Sequence, residues 1–169
     1  VDPATTTSYT VIGTGANGCT SSDIVNVNVG ALPVVVVSPD ANICEGQSTT
    51  LTASGGVTYS WNPIGSTSST VTVSPNDTMQ YEVIATDAVG CTSNAYVMVN
   101  VNPLPVVNLQ SFFLCAGSST TLNAGNPGST YIWNTGATTQ TISINAGGNY
   151  DVTVTSPYGC VASSACNIA

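Results

Sequence analysis

Six cysteines, at positions 19, 44, 91, 115, 160 and 166, and eight carboxylates are the side chains of this 169-residue chain with the most chemistry to offer. There is no Lys, no Arg and no His, and the formal net charge is -8. A Ser or Cys nucleophile normally needs a neighbouring His or Lys base, and neither exists here. Asp2, Asp23, Asp40, Asp77, Asp87 and Asp151 stand singly in different turns with no EF-hand spacing, which disfavours a calcium loop. Nothing pairs two of the acids for glycoside hydrolysis. With no Cys-x-x-Cys pair and no His, zinc has no ligand set. The chain is therefore expected to be non-enzymatic, with no cofactor and no metal. Cross-linking is the chemistry left. An isopeptide bond needs a Lys, so the six Cys point to disulfides and to an oxidising, extracellular setting.

The same charge balance excludes partners. A phosphate backbone is held by Lys and Arg, so nucleic acid is ruled out, and anionic membrane surfaces likewise. The longest wholly aliphatic run, Val34 to Val37, is far short of the roughly 20 residues of a spanning helix, so no membrane insertion is expected. With 42% apolar and 5% charged residues the composition is that of a folding chain. No basic segment precedes an apolar one at the start, so a signal peptide is expected to have been removed or to lie upstream, and Val1 reads as a cut.

The elements that must position the cysteines are organised by a repeat. Leu32-Pro33 returns as Leu104-Pro105, Trp61 as Trp133, Tyr9 as Tyr81 and Gly18-Cys19 as Gly90-Cys91, each 72 residues on. Cys44 returns as Cys115 after 71, and Gly90-Cys91 as Gly159-Cys160 after 69. This predicts three parts: the C-terminal half of a module over 1–30, and complete modules over 31–102 and 103–169. A half-module cannot bury its own apolar face, so either the chain is a fragment of a longer repetitive protein, the favoured reading, or a neighbouring chain completes it.

Within a module the hydrophobic period is two, as in Val71 and Val73, or Tyr81, Val83 and Ala85, or Val97, Val99 and Val101. Thr, Val, Tyr and Ile fill these runs and Gly, Pro, Asn, Asp and Ser separate them, which predicts an all-β chain. Strands are expected near 34–37, 48–53, 57–61, 70–74, 80–86 and 93–101. Trp61 is placed like the core Trp of an immunoglobulin-type sandwich and Tyr81 like a tyrosine corner, with Trp133 and Tyr150 repeating the pair. These aromatics are read as packing, not ligand binding.

Cys44-Glu45-Gly46-Gln47-Ser48-Thr49-Thr50-Leu51-Thr52-Ala53, Tyr59-Ser60-Trp61-Asn62-Pro63, Tyr81-Glu82-Val83, Gly90-Cys91 and Trp133-Asn134-Thr135-Gly136-Ala137-Thr138-Thr139-Gln140-Thr141-Ile142 resemble the tandem immunoglobulin-like and PKD-like repeats of giant secreted surface proteins and gliding adhesins in Bacteroidota. The resemblance spans essentially the whole chain. It implies tandem immunoglobulin-like β-sandwich modules, secretion, and an extracellular or cell-surface place as stalk or filament units. Cys166 departs from the pattern, standing where the middle module has Val97.

In an immunoglobulin topology Cys44, before the second strand, and Cys91, past the end of the sixth, fall at opposite ends, roughly 20 Å apart, whereas bridged Cα atoms lie within about 7 Å. Stacking modules head to tail would instead bring Cys44 to Cys160. Cys115 would then need a following module or Cys166, and Cys19 and Cys91 would await missing or neighbouring segments. Pairing within modules, Cys44 with Cys91 and Cys115 with Cys160, stays open as the alternative. Asn76-Asp77-Thr78-Met79 holds an Asn-x-Thr acceptor and an Asp-Thr-Met triplet, so Asn76 and Thr78 are candidate glycosylation positions in a loop, against an ordinary polar turn.

Two functions compete. A structural unit of a filament, stalk or sheath, self-associating with other copies, is suggested by Val-rich edge-like runs that lack the Lys and charge which usually guard sheet edges. An adhesin or carbohydrate-binding module would instead use exposed aromatics in end loops on a glycan or surface, with Tyr158 the candidate contact and Phe112 and Phe113 the other options. With no cationic side chains there are no side-chain ion pairs, so acid is expected to do little harm.

Overall fold

The computed structural model describes residues 2–169; Val1, read as a cut start, lies outside the described residues. Among these there are fourteen strands and no helix: β1 (Thr7–Thr14), β2 (Thr20–Val27), β3 (Val36–Val37), β4 (Ala41–Cys44), β5 (Thr49–Ser54), β6 (Thr58–Asn62), β7 (Thr70–Val73), β8 (Met79–Thr86), β9 (Thr92–Asn102), β10 (Thr120–Asn123), β11 (Thr130–Trp133), β12 (Thr141–Ile144), β13 (Gly148–Thr155) and β14 (Val161–Ile168). Backbone contacts gather them into two compact units. One holds the described residues up to Ser38 with Leu51–Val71 and Tyr81–Tyr96; the other holds Pro39–Thr50, Thr72–Gln80 and Val97–Ala169.

Residues 31–102 form sheets of order β3-β5-β7 and β4-β9-β8-β6. With the last two long strands at the centre of the second sheet, this is the strand distribution of an immunoglobulin-like β-sandwich. The alternation of each strand decides its inner face: in β7 Val71 and Val73 are buried while Thr70 and Thr72 face out, and in β8 Tyr81, Val83 and Ala85 are buried. Trp61 is buried too, and its indole N–H donates to the Ser68 carbonyl at 2.9 Å. The observed strands follow the expected ones within a few residues, except that β4 is additional. It runs parallel to β9, from Ala41 opposite Val99 to Cys44 opposite Asn102. The Asp40 carboxylate anchors it by accepting the Met98 N–H at 2.8 Å.

A glycine is obligatory directly after β5. Gly55, after β5, has φ +97°, and a Cβ there would meet the Val34 carbonyl oxygen at 1.9 Å. Gly55→Ala is therefore expected to destabilise by at least about 2 kcal/mol, from the disfavoured φ and the forced shift of the β3 edge together. Urea unfolding of the variant checks this; a loss below about 0.5 kcal/mol, the level of ordinary surface changes, would contradict it.

In the last repeat the sheets β10-β12 and β11-β13-β14 close over one core that includes Leu122, Tyr131, Trp133, Val152, Val154 and Ile168. Trp133 repeats the anchor, its indole N–H donating to the Thr139 carbonyl at 2.8 Å. Tyr150 makes the corner bond, its hydroxyl donating to the Ala146 carbonyl at 3.0 Å. The described residues up to 30 contribute the β1–β2 hairpin alone, in register from Thr7 opposite Val27 to Thr14 opposite Thr20.

Glu82 titrates differently from an ordinary carboxyl. Asn94 and the Tyr96 hydroxyl donate to Glu82 at 2.7 and 3.0 Å and hold its carboxyl below the ordinary 4.5. A depressed folded-state pKa stabilises above the unfolded value and that contribution is lost as pH falls through the folded one. The urea midpoint should therefore stay level from pH 7 toward 5 and fall slightly only below the ordinary Glu range, and Glu82→Gln should remove that fall. A marked loss already above pH 5 would contradict it. At the other end, the Glu82 bond raises Tyr96 and burial raises Tyr81, so both favour folding below pH 10 and cease to do so as pH rises past their folded values.

Candidate functional site

The chemistry of the chain converges on one covalent bond, Cys44 to Cys160, which closes 116 residues of sequence. Cys44 ends β4 and opens a tight turn: the Gln47 N–H donates to its carbonyl at 2.9 Å, Gly46 takes φ +80°, and the Gln47 side-chain oxygen accepts the Cys44 N–H at 3.1 Å. Asn102, the last residue of β9, fixes this turn. Its carbonyl accepts the Glu45 N–H at 2.9 Å and its amide donates to the Ile43 carbonyl at 3.3 Å.

Cys160 arrives on the β13–β14 hairpin. Ser156 N–H donates to the Cys160 carbonyl at 2.8 Å, the Ser156 hydroxyl accepts the Cys160 N–H at 3.2 Å, and Gly159 makes the bend with φ +81°. The two Cα atoms lie 5.6 Å apart, in the ordinary range for a disulfide. The Cys160 sulfur lies 3.7 Å from the Asn102 carbonyl oxygen, and both half-cystines are buried. A thiolate has poor access to such a bond, so it resists exchange.

The pairing follows from where strand ends fall. Cys44 is level with Asn102 at the end of β9, and Cys91 immediately precedes its first residue, Thr92. At about 3.3 Å per residue this 11-residue strand separates the two by roughly 36 Å. Cys19, Cys91, Cys115 and Cys166 are free thiols. Cys166, offered above as a substitute partner for Cys115, is not joined to it. It lies on the inward face of β14 opposite Tyr150, where burial pushes its thiol pKa up, while Cys115 is exposed in a turn closed by Ser118. Alternation of β14 explains the difference: Cys166 and Ile168 point into the core.

Asn76 and Thr78 lie exposed between β7 and β8 beside a groove of about 530 Å³ that Glu45, Asp77, Val101 and Pro103 also line. Thr78 has a structural duty there, its hydroxyl accepting the Val101 N–H at 3.0 Å. Tyr158 is 71% exposed in the hairpin turn before Cys160, and Phe113 is 89% exposed, whereas Phe112 packs against the last repeat's core. A second groove of about 410 Å³, rich in hydroxyls from Thr135, Thr139, Thr141, Ser143 and Tyr150, runs along β12. Among the described residues no three Cys, Asp or Glu side chains converge as metal ligands. Sequence reasoning missed Asn102 and β4; Asn102 has no repeat signature, since the residue 72 positions before it is Gly30.

No family model matches the chain, and no curated protein matches it either. Among solved structures it is similar to the IG1 and IG2 domains of DIP-gamma, at 10% identity over 82% of this chain and 97% of that one, with a TM-score of 0.49. It is similar to the insect immune protein hemolin, at 14% identity over 95% of this chain and 55% of that one, TM-score 0.49. It is also similar to a Ca2+-stabilized adhesin with which an Antarctic bacterium binds ice, at 15% identity over 98% of this chain and 57% of that one, TM-score 0.43.

Proposed function

We propose that the chain is a non-enzymatic structural unit of an extracellular filament, stalk or sheath on a bacterial cell surface, of the kind its repeats resemble in Bacteroidota. In this reading it is secreted and consists of a half-module over 1–30 and complete modules over 31–102 and 103–169. The observation that carries the reading is the Cys44–Cys160 bond, which runs from one sequence repeat to the next. Such a bond removes bending freedom from the Pro103-Leu104-Pro105 junction, already restricted by its prolines, and lets consecutive modules transmit force as a rod. The partners are other copies or further modules. Exposed Val34, Val36 and Val106, with no Lys to guard an edge, support lateral contact. Electron microscopy of the oxidised protein at high concentration should show filaments or laterally joined rods. Isolated flexible monomers would sink this reading.

The exposure of Tyr158 and Phe113 favours a second reading, an adhesin or carbohydrate-binding module that meets a glycan or surface with its end loops. Glycan-array binding lost in Tyr158→Ala would support it, and full retention would remove that site. Glycan on Asn76 or Thr78 belongs to the same surface role, and intact-mass measurement of protein from the native source tests it.

A further inference from the structure

Shifted by 72 residues, β1 coincides with Met79–Thr86, the whole of β8, and β2 with Thr92–Val99 of β9. Even a side-chain bond recurs: the Thr6 hydroxyl accepts the Val29 N–H at 3.0 Å as the Thr78 hydroxyl accepts that of Val101. Burial does not recur. Val11 and Val25 are 65% and 59% exposed, while Val83 and Val97, their counterparts, are 0% and 1% exposed. The hairpin thus has the form of the back half of a sandwich without the front half that would cover it.

Cys91 supplies the second, independent observation. Its hairpin repeats that of Cys160: Asp87 N–H donates to the Cys91 carbonyl at 2.9 Å, the Asp87 carboxylate accepts the Cys91 N–H at 2.9 Å, and Gly90 takes φ +91°. Its sulfur also has the same neighbour. The Cys160 sulfur lies against Asn102, and the Cys91 sulfur lies against Gly30, the residue 72 positions earlier, where a Cβ would come within 3.3 Å. Only the turn cysteine corresponding to Cys44 is missing beside Cys91.

We propose that the β1–β2 hairpin takes up a half-repeat polypeptide of the 31–72 type, which covers Val11 and Val25, and that Cys91 becomes disulfide-bonded to the turn cysteine of that segment. A second intact copy of the chain does not fit as occupant, because its own front halves are already covered by β8–β9 and β13–β14. The bond forms by thiol–disulfide exchange with a small disulfide oxidant such as oxidised glutathione. One thiolate attacks it and expels glutathione, the other thiolate resolves the mixed disulfide, and two glutathione thiols carry away the electrons and protons. This inference does not depend on the chain forming filaments.

The test extends the full chain at its N-terminus with a copy of its own residues 31–72, which restores a repeat in register, and refolds it with oxidised glutathione. Peptic mapping at low pH, which needs no Lys or Arg and halts exchange, should join Cys91 to the added cysteine, with Cys44 to Cys160 retained. Iodoacetamide labelling of Cys91 should be abolished, and the β1–β2 amides should become slow to exchange. With the added cysteine changed to Ser, the amides should stay slow and Cys91 should label again. The proposal is overturned if Cys91 still labels as in the unextended chain while Cys44–Cys160 is intact, or if the added cysteine joins Cys19. It is equally overturned if the β1–β2 amides of the unextended chain gain protection with concentration, since that would make self-pairing the occupant.

Discussion

Replacing Cys44 and Cys160 together by Ser is expected to cost up to about 5 kcal/mol, the chain-entropy value for releasing a loop of this length. The bond spans 116 residues, so it constrains the unfolded chain over most of the two repeats. Native disulfides in small secreted domains are typically worth about 2–5 kcal/mol, which sets the lower end. No cationic side chain exists to contribute ion pairs, which leaves this bond among the largest single contributions to stability. Guanidinium unfolding of the wild type and of the double variant measures the difference, and wild type with reductant should approach the variant only slowly because both half-cystines are buried. A loss below about 1 kcal/mol would mean that the two linked segments unfold independently, so that cross-linking them restrains little, and the rod reading would lose its mechanical basis.

Strands with strong alternation were legible because a half-buried sheet leaves a period of two in the sequence: Val71 and Val73, or Tyr81, Val83 and Ala85, could face only one way. The repeat carried more, since a fixed shift of 72 relates β1 to β8 and Trp61 to Trp133 without any knowledge of contacts. What escaped were features held by long-range polar bonds. β4 has four residues, no alternation before Ile43, and a parallel partner 58 positions away, so no turn announces it; the Asp40 carboxylate and Asn102 hold it from outside its own segment. Spacing alone also misjudged Cys166, because a count of cysteines does not say which face of β14 each occupies. The Asn-x-Thr motif shows the converse. Thr78 makes a backbone bond that Thr6 also makes, and Thr6 lies in Ala4-Thr5-Thr6, with no such motif, so a structural need accounts for the threonine by itself.

Trp133→Ala is expected to cost about 3–5 kcal/mol, the range for removing a large buried aromatic, through lost burial and the cavity left behind. The last repeat closes its core with few side chains, and Trp133, 1% exposed, is the largest of them. Against a net stability of about 5–15 kcal/mol for a whole domain, such a loss leaves this region marginal. Trp133→Phe keeps one six-membered ring in the core and loses the rest of the indole with its N–H to the Thr139 carbonyl; because Thr139 is exposed, water can satisfy that carbonyl, so the hydrogen-bond part of the cost should be only about 1 kcal/mol, with the smaller ring's lost burial added to it. Hydrogen exchange should show the Ala variant losing protection in β11, β13 and β14. The cystine provides a second readout, because Cys160 is buried and sits in the turn that joins β13 to β14. In Trp133→Ala, reduced glutathione should therefore open Cys44–Cys160 faster than in the wild type. Unchanged reduction together with fast exchange in β13 and β14 would mean that the preceding repeat alone shields the bond, through the Cys44 turn and Asn102.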